Sequence, residues 1–266
     1  MIIETAAKIV DRVRVEGPLV DCITNFVTVN DCANILLAFG ASPAMCDVYD
    51  AAYSFAGISG ALYINMGTYV KEHQAAAVEA ALGAKKAGRP IVVDPVGCGA
   101  IRYQIDMLDH LDEVAGINLI KGNMGEIMTL AGRAAEVKGV DSAGEMPGIE
   151  EAVIVVAEKY RCTVAATGKV DVIGDGKRLA RISNHTALFT KITGAGCMLG
   201  ALCGAAAAVA EGDMFVAAVA AIAAMGVAGE LAFEQARLPG SFRVALMDSV
   251  YGISGETVIQ KGKITC

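Results

Sequence analysis

Thr193-Gly194-Ala195-Gly196-Cys197 stands immediately before the small, apolar stretch Met198 to Ala210. Two glycines let a turn bring backbone N–H groups close to a ligand, and a helix that follows points the positive end of its dipole at the same place. The pattern predicts an anion site with one reactive side chain, the Cys197 thiol, in the first helical turn where the dipole favours a thiolate. The same spacing suits close packing of an alanine-rich helix, so the motif alone leaves both readings open. A second candidate is Asp94, which ends the β-branched run Ile91-Val92-Val93. A carboxylate there is costly unless a cation or hydrogen bonds meet it, which points to a metal or phosphate site or to a turn cap. In Lys121-Gly122-Asn123-Met124-Gly125-Glu126, Lys121 could pair with phosphate and Glu126 with a water-coordinated divalent ion, yet Asn123 and Glu126 also have the spacing of a capping box. Thr24 and Asn25 follow a short apolar run, where open α/β sheets contact ligands but where such residues also cap a turn, and Met45 suits either the core or a soft pocket wall.

Periodicity supplies the elements that must hold these residues. Ile2, Ile3, Ala6, Ile9, Val10 and Val13 recur at helical spacing, so residues 2–15 read as an amphipathic helix. Strands are expected at 19–24, 61–65, 91–93, 117–120 and 163–166. Helices are expected from Asn30 or Asp31 to Phe39, at 49–56, 70–87, 124–130 and 150–160, and 41–45 and 134–148 read mainly as loop. Strand, turn and helix alternate, which predicts an α/β fold with a central, mostly parallel sheet flanked by helices. Segments 170–173 and 178–182, joined by Gly174-Asp175-Gly176, predict a β-hairpin. Two long alanine-rich helices at 197–210 and 213–236, and a shorter one at 243–251, complete the chain. With no repeat, low-complexity linker or composition break, residues 1–266 read as a single domain.

Composition narrows the function. A net charge of -7 with no Lys/Arg cluster argues against nucleic acid and for a small-molecule ligand. The eight cysteines form no C-x-x-C pair and no zinc spacing, which fits free thiols in a reducing cytoplasm. The N-terminus lacks the basic start and unbroken apolar run of a signal peptide, and the apolar stretch 214–233 reads as a buried or subunit-facing helix, so no membrane role is expected. Gly176-Lys177 is not a P-loop, because Arg178 stands where Ser or Thr is needed, and the spacing of Gly194, Gly196 and Gly200 is one residue too long for a dinucleotide fingerprint.

Eight segments in register resemble the hydroxyethylthiazole kinase family of thiamine biosynthesis, which belongs to the ribokinase-like kinases. They are ITN at 23–25, SPAM at 42–45, NMGT at 65–68, DPVG at 94–97, KGNMGEI at 121–127, ATGKVDVI at 166–173, TKITGAGCMLGAL at 190–202 and PGSFRVALMDS at 239–249. The resemblance implies a ribokinase-like domain that moves the γ-phosphate of ATP to the hydroxyl of 4-methyl-5-(2-hydroxyethyl)thiazole, with Mg²⁺ and without a Walker loop. It implies ATP contacts at Lys121 and Thr167, substrate contacts at Met45, Gly194 and Asn25, metal and phosphate contacts at Asp94 and Glu126, and a catalytic Cys197 beside the alcohol. It also implies a homotrimer with sites at subunit boundaries. Lys121 departs from the arginine frequent in the family, keeping the charge but losing the bidentate fork. Another ribokinase-like kinase, such as one acting on a hydroxymethylpyrimidine, is the alternative.

Overall fold

Apolar runs of four or five residues, buried on both faces, form the middle of one sheet. The computed structural model describes residues 1–68, 71–133 and 146–266, apart from the Glu72 side chain. Its strands are β1 (Leu19–Ile23), β2 (Ser42–Ala44), β3 (Ala61–Asn65), β4 (Ile91–Asp94), β5 (Leu119–Asn123), β6 (Thr163–Thr167), β7 (Asp171–Gly174), β8 (Leu179–Ile182) and β9 (Ile264–Thr265). They lie in the order β2-β1-β3-β4-β5-β6-β7-β8-β9. The strands from β2 across to β6 are parallel, and β7, β8 and β9 add an antiparallel flank. The order reverses at β1, whose neighbours are β2 on one side and β3 on the other. Ligands of open α/β sheets bind at such a switch, beyond the carboxyl ends of the strands.

The helices in chain order are α1 (Ile2–Glu16), α2 (Val29–Phe39), α3 (Tyr49–Ile58), α4 (Lys71–Lys86), α5 (Arg102–Ala115), α6 (Met124–Leu130), α7 (Ile149–Tyr160), α8 (Ala195–Val209), α9 (Met214–Gln235), α10 (Pro239–Gly252) and α11 (Gly255–Lys261). Alternation along each strand divides them between the faces. Tyr63, Val92, Leu119 and Ala165 pack with α1, α2, α8, α9, α10 and α11. Leu62, Ile64, Val93, Ile120 and Val164 pack with α3 to α7. Helix α9 is apolar and long enough to span a membrane, yet 83% of its most apolar window is buried inside the protein, as expected of a core helix. Helix α8 lies so close to the sheet that a Cβ at Gly200 would meet the Tyr63 hydroxyl oxygen at 2.4 Å, so only glycine fits there.

Several boundaries differ from expectation for identifiable reasons. The lysine at 121 ends the apolar run, yet β5 continues through it to Asn123, because ladder bonds to β6 persist and a buried partner meets the charge. The expected loop 41–45 contains the edge strand β2, which pairs with β1 despite Pro43, as edge strands allow. Helix α2 starts at Val29 with Thr28 as N-cap, which leaves Asp31 inside its first turn rather than capping it. Helix α8 starts at Ala195, so Cys197 is its third residue. Pro239 opens α10, where its fixed φ and missing N–H cost nothing, earlier than Arg243. Helices α5 and α11, strand β9 and a 3-10 turn at Ala187–Lys191 were not read from the pattern. Most of the expected loop 134–148, and the expected helix start at Val70, lie outside the described residues.

Candidate active site

The carboxyl ends of β1, β3, β4 and β5 deliver Asn25, Asn65, Asp94 and Lys121 to one buried network under the start of α8. Asp94 is fully buried and its Oδ2 accepts a hydrogen bond from Lys121 Nζ at 2.7 Å. The same ammonium donates to the Gly196 carbonyl at 3.1 Å, so Lys121 ties β4 to the first turn of α8. Asn65 Nδ2 donates to the Tyr63 hydroxyl at 2.8 Å and stands 3.4 Å from Asp94 Oδ2, and that hydroxyl donates to the Cys197 carbonyl at 3.0 Å. Asn25 Nδ2 donates to Asn65 Oδ1 at 2.9 Å and lies 3.5 Å from Cys197 Sγ. The thiol is thus held beside an amide at the mouth of a polar cluster.

Burial pushes the Asp94 carboxyl up to about 6, against the opposing pull of Lys121. Lys121 is also buried, which works against its charge, but the Asp94 and Glu126 carboxylates outweigh burial and hold it above its ordinary value. Glu126 adds to the upward push of burial on Asp94 and joins Asp94 in holding the lysine charged. Asp94 Oδ1 is buried and has no hydrogen-bond partner among the described residues. Glu126 forms the expected capping box: its Oε2 accepts from the Asn123 N–H at 2.7 Å, and Asn123 Oδ1 accepts from the Glu126 N–H at 2.9 Å. Its Oε1 accepts from the Gly97 N–H at 2.9 Å, joining the turn after β4 to α6.

The TGAGC turn has the features of an anion site. Gly194 is the N-cap of α8 with φ 85°, and no side chain caps the helix, which leaves the first-turn N–H groups open to a ligand. A Cβ at Gly194 would lie 2.7 Å from Thr28 Cγ2, so the turn rests directly on the start of α2. Asp31 in that first turn is ion-paired with Arg243 of α10. Beyond the turn a cavity of about 610 Å³ opens, with Asn123, Thr167, Gly168, Asp171, Ala195 and Gly196 on its walls. Thr167 Oγ1 donates to the Gly122 carbonyl at 3.2 Å. Burial pushes Asp171 up to about 7, and its Oδ1 accepts from the Gly168 N–H at 2.9 Å.

The sequence profile of the hydroxyethylthiazole kinase family matches residues 10–256. The chain is 53% identical over 256 residues to hydroxyethylthiazole kinase 2 of Clostridium botulinum, covering 96% of this chain and 97% of that protein. The structure of a hydroxyethylthiazole kinase protein from Pyrococcus horikoshii is similar with a TM-score of 0.89 and 35% identity, covering 98% of each chain. The chain belongs to the hydroxyethylthiazole kinase family. A pyridoxal kinase from Staphylococcus aureus, solved with AMP-PCP and pyridoxal, shares the fold alone at 14% identity and a TM-score of 0.54, covering 79% of this chain and 86% of its own. The α/β, mostly parallel architecture is therefore the ribokinase-like one expected from the eight segments.

For a hydroxyethylthiazole kinase relative, the arrangement divides the expected site residues. Asn25, Asp94, Lys121 and Cys197 form one hydrogen-bonded network that Gly196 joins, with Gly194 at its edge and Glu126 attached through Gly97. Thr167 stands on the cavity wall. Met45 follows the edge strand β2 and is half-buried against the α1/α2 side of the sheet, one strand away from Asn25. Tyr63 and Asn65 join this network, and the Asp31–Arg243 pair stands beside the Gly194 turn, but none of the four was singled out for the site. The NMGT and PGSFR segments carried the signal for Asn65 and Arg243, and no local pattern marks Tyr63, which reads as an ordinary core aromatic.

Proposed function

We propose that the protein phosphorylates the primary hydroxyl of 4-methyl-5-(2-hydroxyethyl)thiazole with ATP, as one domain over residues 1–266. The family match carries this reading, since it spans nearly the whole chain and includes the TGAGC turn, and it favours the thiazole alcohol over a hydroxymethylpyrimidine. A kinase of this family uses ATP as co-substrate. Thr167 and Lys121 contact the nucleotide, Lys121 with the one ammonium hydrogen that Asp94 and Gly196 leave over. Met45, Gly194 and Asn25 line the place of the thiazole.

The alcohol oxygen attacks the γ-phosphorus while the bond from that phosphorus to the β,γ-bridging oxygen breaks, and the electron pair leaves with ADP. In a loose transition state the alcohol proton departs late, so positioning and charge stabilisation dominate. The N–H groups at 194–197 stabilise the moving phosphoryl group, and Cys197 Sγ accepts the proton as a weak base. Mg²⁺ fits this site. Asp94 Oδ1 is a buried acceptor without a partner, and each Glu126 oxygen retains a lone pair. Among the described residues no group of three acidic, His or Cys side chains forms a cage, which suits an ion that keeps waters and phosphate oxygens as ligands. Held by Asp94 and Glu126, Mg²⁺ would neutralise charge on the phosphate chain.

The exposed apolar residues Phe26 and Val27 beside Asn25 support a homotrimer with sites at its subunit boundaries, and eight free cysteines support a cytoplasmic setting. Phosphorus NMR of ATP mixtures with a panel of alcohols tests the substrate. A phosphomonoester on the thiazole alcohol is expected, and preferred phosphorylation of a hydroxymethylpyrimidine would overturn the reading. Cys197→Ala should keep measurable turnover and Cys197→Asp should remain active. An inactive, folded Cys197→Asp enzyme would show that the position is not a replaceable base.

A further inference from the structure

The ammonium group that the sequence offers most plainly to a phosphate, Lys121, is 3% exposed and absent from the cavity wall, with Asp94 and the Gly196 carbonyl on two of its donors. Among the described residues Lys169 is the sole lysine or arginine on that wall. It follows Thr167-Gly168 in the turn between β6 and β7, and the turn is fixed at both ends. Thr167 Oγ1 is bonded to the Gly122 carbonyl, and the Gly168 N–H to Asp171 Oδ1. Asp171 is the one carboxylate on the wall among the described residues. Among the described residues Lys169 has no ion-pair partner. Its charge nevertheless bears on the cavity: burial first, and then Lys169, hold the His185 imidazole on the same wall below its ordinary value. An unpaired cation on a rigid turn thus shares a cavity with the uncapped first turn of α8, represented on the wall by Ala195 and Gly196. Both features attract negative charge, and a compact, flexible ammonium suits the point-charge recognition of phosphate.

We propose that Lys169 is the cation that captures the phosphate chain of the nucleotide, working with the N–H groups of α8 while Lys121 acts mainly to hold Asp94 and Gly196 in place. The inference rests on the ATP-dependent kinase reading above. It divides the work between two lysines: Lys121 spends two of its three donors inside the network and has one left for the nucleotide, and Lys169 captures the phosphate chain from a turn. Because Lys169 is exposed and unpaired, replacing it leaves the fold undisturbed, whereas the charge lost is one that only a charged ligand meets.

Calorimetric binding of ADP, AMP and adenosine to the wild type, Lys169→Met and Lys169→Arg, with thermal melts of each, tests this. Loss of one charge-assisted contact predicts that Lys169→Met weakens ADP about tenfold or more, with adenosine and the thiazole alcohol bound as by the wild type and the melting temperature unchanged. Lys169→Arg should recover most of the ADP affinity, and raised salt should shrink the gap between wild type and Lys169→Met. Equal loss for adenosine and ADP would overturn the proposal by giving Lys169 a role in the base pocket or the fold. ADP binding by Lys169→Met within twofold of a wild type that turns over ATP would overturn it and leave the kinase reading standing. A wild type that binds no adenine nucleotide would overturn both.

Discussion

Two neighbouring regions handle their polar groups in opposite ways. Around Asp94 nearly every donor and acceptor is buried and engaged: Lys121, Asn65, Tyr63 and Asn25 bond to one another and to the backbone of α8, leaving Asp94 Oδ1 as an open acceptor. Across the TGAGC turn, the cavity wall presents groups with no partner among the described residues, the first-turn N–H groups of α8 and the Lys169 ammonium. The first region is organised before any ligand arrives and carries a desolvation cost in the free protein. The second is completed by its ligand. A reaction governed by positioning needs both: a fixed frame for the reacting alcohol and an open receptor for a polyanion that must enter and leave.

The largest expected effects come from breaking the frame. Lys121→Met leaves the Asp94 carboxylate buried without its cation and should cost about 3–5 kcal/mol of stability, read from urea unfolding. Replacing both members, Lys121→Met with Asp94→Leu, should cost less than the single lysine change, because no buried charge is left uncompensated. A double variant that falls by the sum of the two single losses would contradict the picture of one coupled pair. Asp94→Asn should lower kcat by about 100-fold or more while the fold survives, since an amide keeps the shape but not the charge.

Next in size is the hinge between the regions. Gly194→Ala places a Cβ 2.7 Å from Thr28 Cγ2 and in a left-handed backbone with φ 85°. We expect a loss of about 1–3 kcal/mol in transition-state stabilisation, measured as kcat/KM, with a smaller change in melting temperature. A smaller effect is expected from Asn25→Ala, which removes the donor shared by Asn65 and Cys197. It should raise KM for the thiazole alcohol by about fivefold to tenfold and leave KM for ATP unchanged.

The most diagnostic effect is on pH dependence. Burial raises Asp94 to about 6 and Asp171 to about 7, against an ordinary value of 3.8. Both groups therefore hold protons more tightly folded than unfolded, so stability from these two sites is greatest below about pH 4 and is lost as pH rises toward 6 and 7. Activity should run the other way and fall below about pH 6, where Asp94 gains a proton. Unfolding free energies and kcat between pH 4.5 and 8 check both signs, and parallel curves would contradict them.

How far the sequence could be read follows the same division. The capping box at Asn123 and Glu126 and the hairpin after Thr167 are local and are where the pattern places them, and the glycine turn before α8 is equally local but ends two residues early, at Gly194. The Asp94–Lys121 pair joins residues 27 positions apart, so the sequence marked each as a candidate but could not show that one occupies the other. Tyr63 and Arg243 act through contacts 134 and 212 positions away, which no spacing rule reaches. Strand β5 was cut short at Lys121 for the same reason, because a charge looks like a strand end until its buried partner is known.

The account stands most directly on ADP release from ATP by the purified protein, measured with and without 4-methyl-5-(2-hydroxyethyl)thiazole. We predict slow release alone, a large stimulation by the thiazole alcohol, and one phosphorylated alcohol formed per ADP. ADP release that is indifferent to the thiazole alcohol, or stimulated without a phosphorylated product, would contradict it.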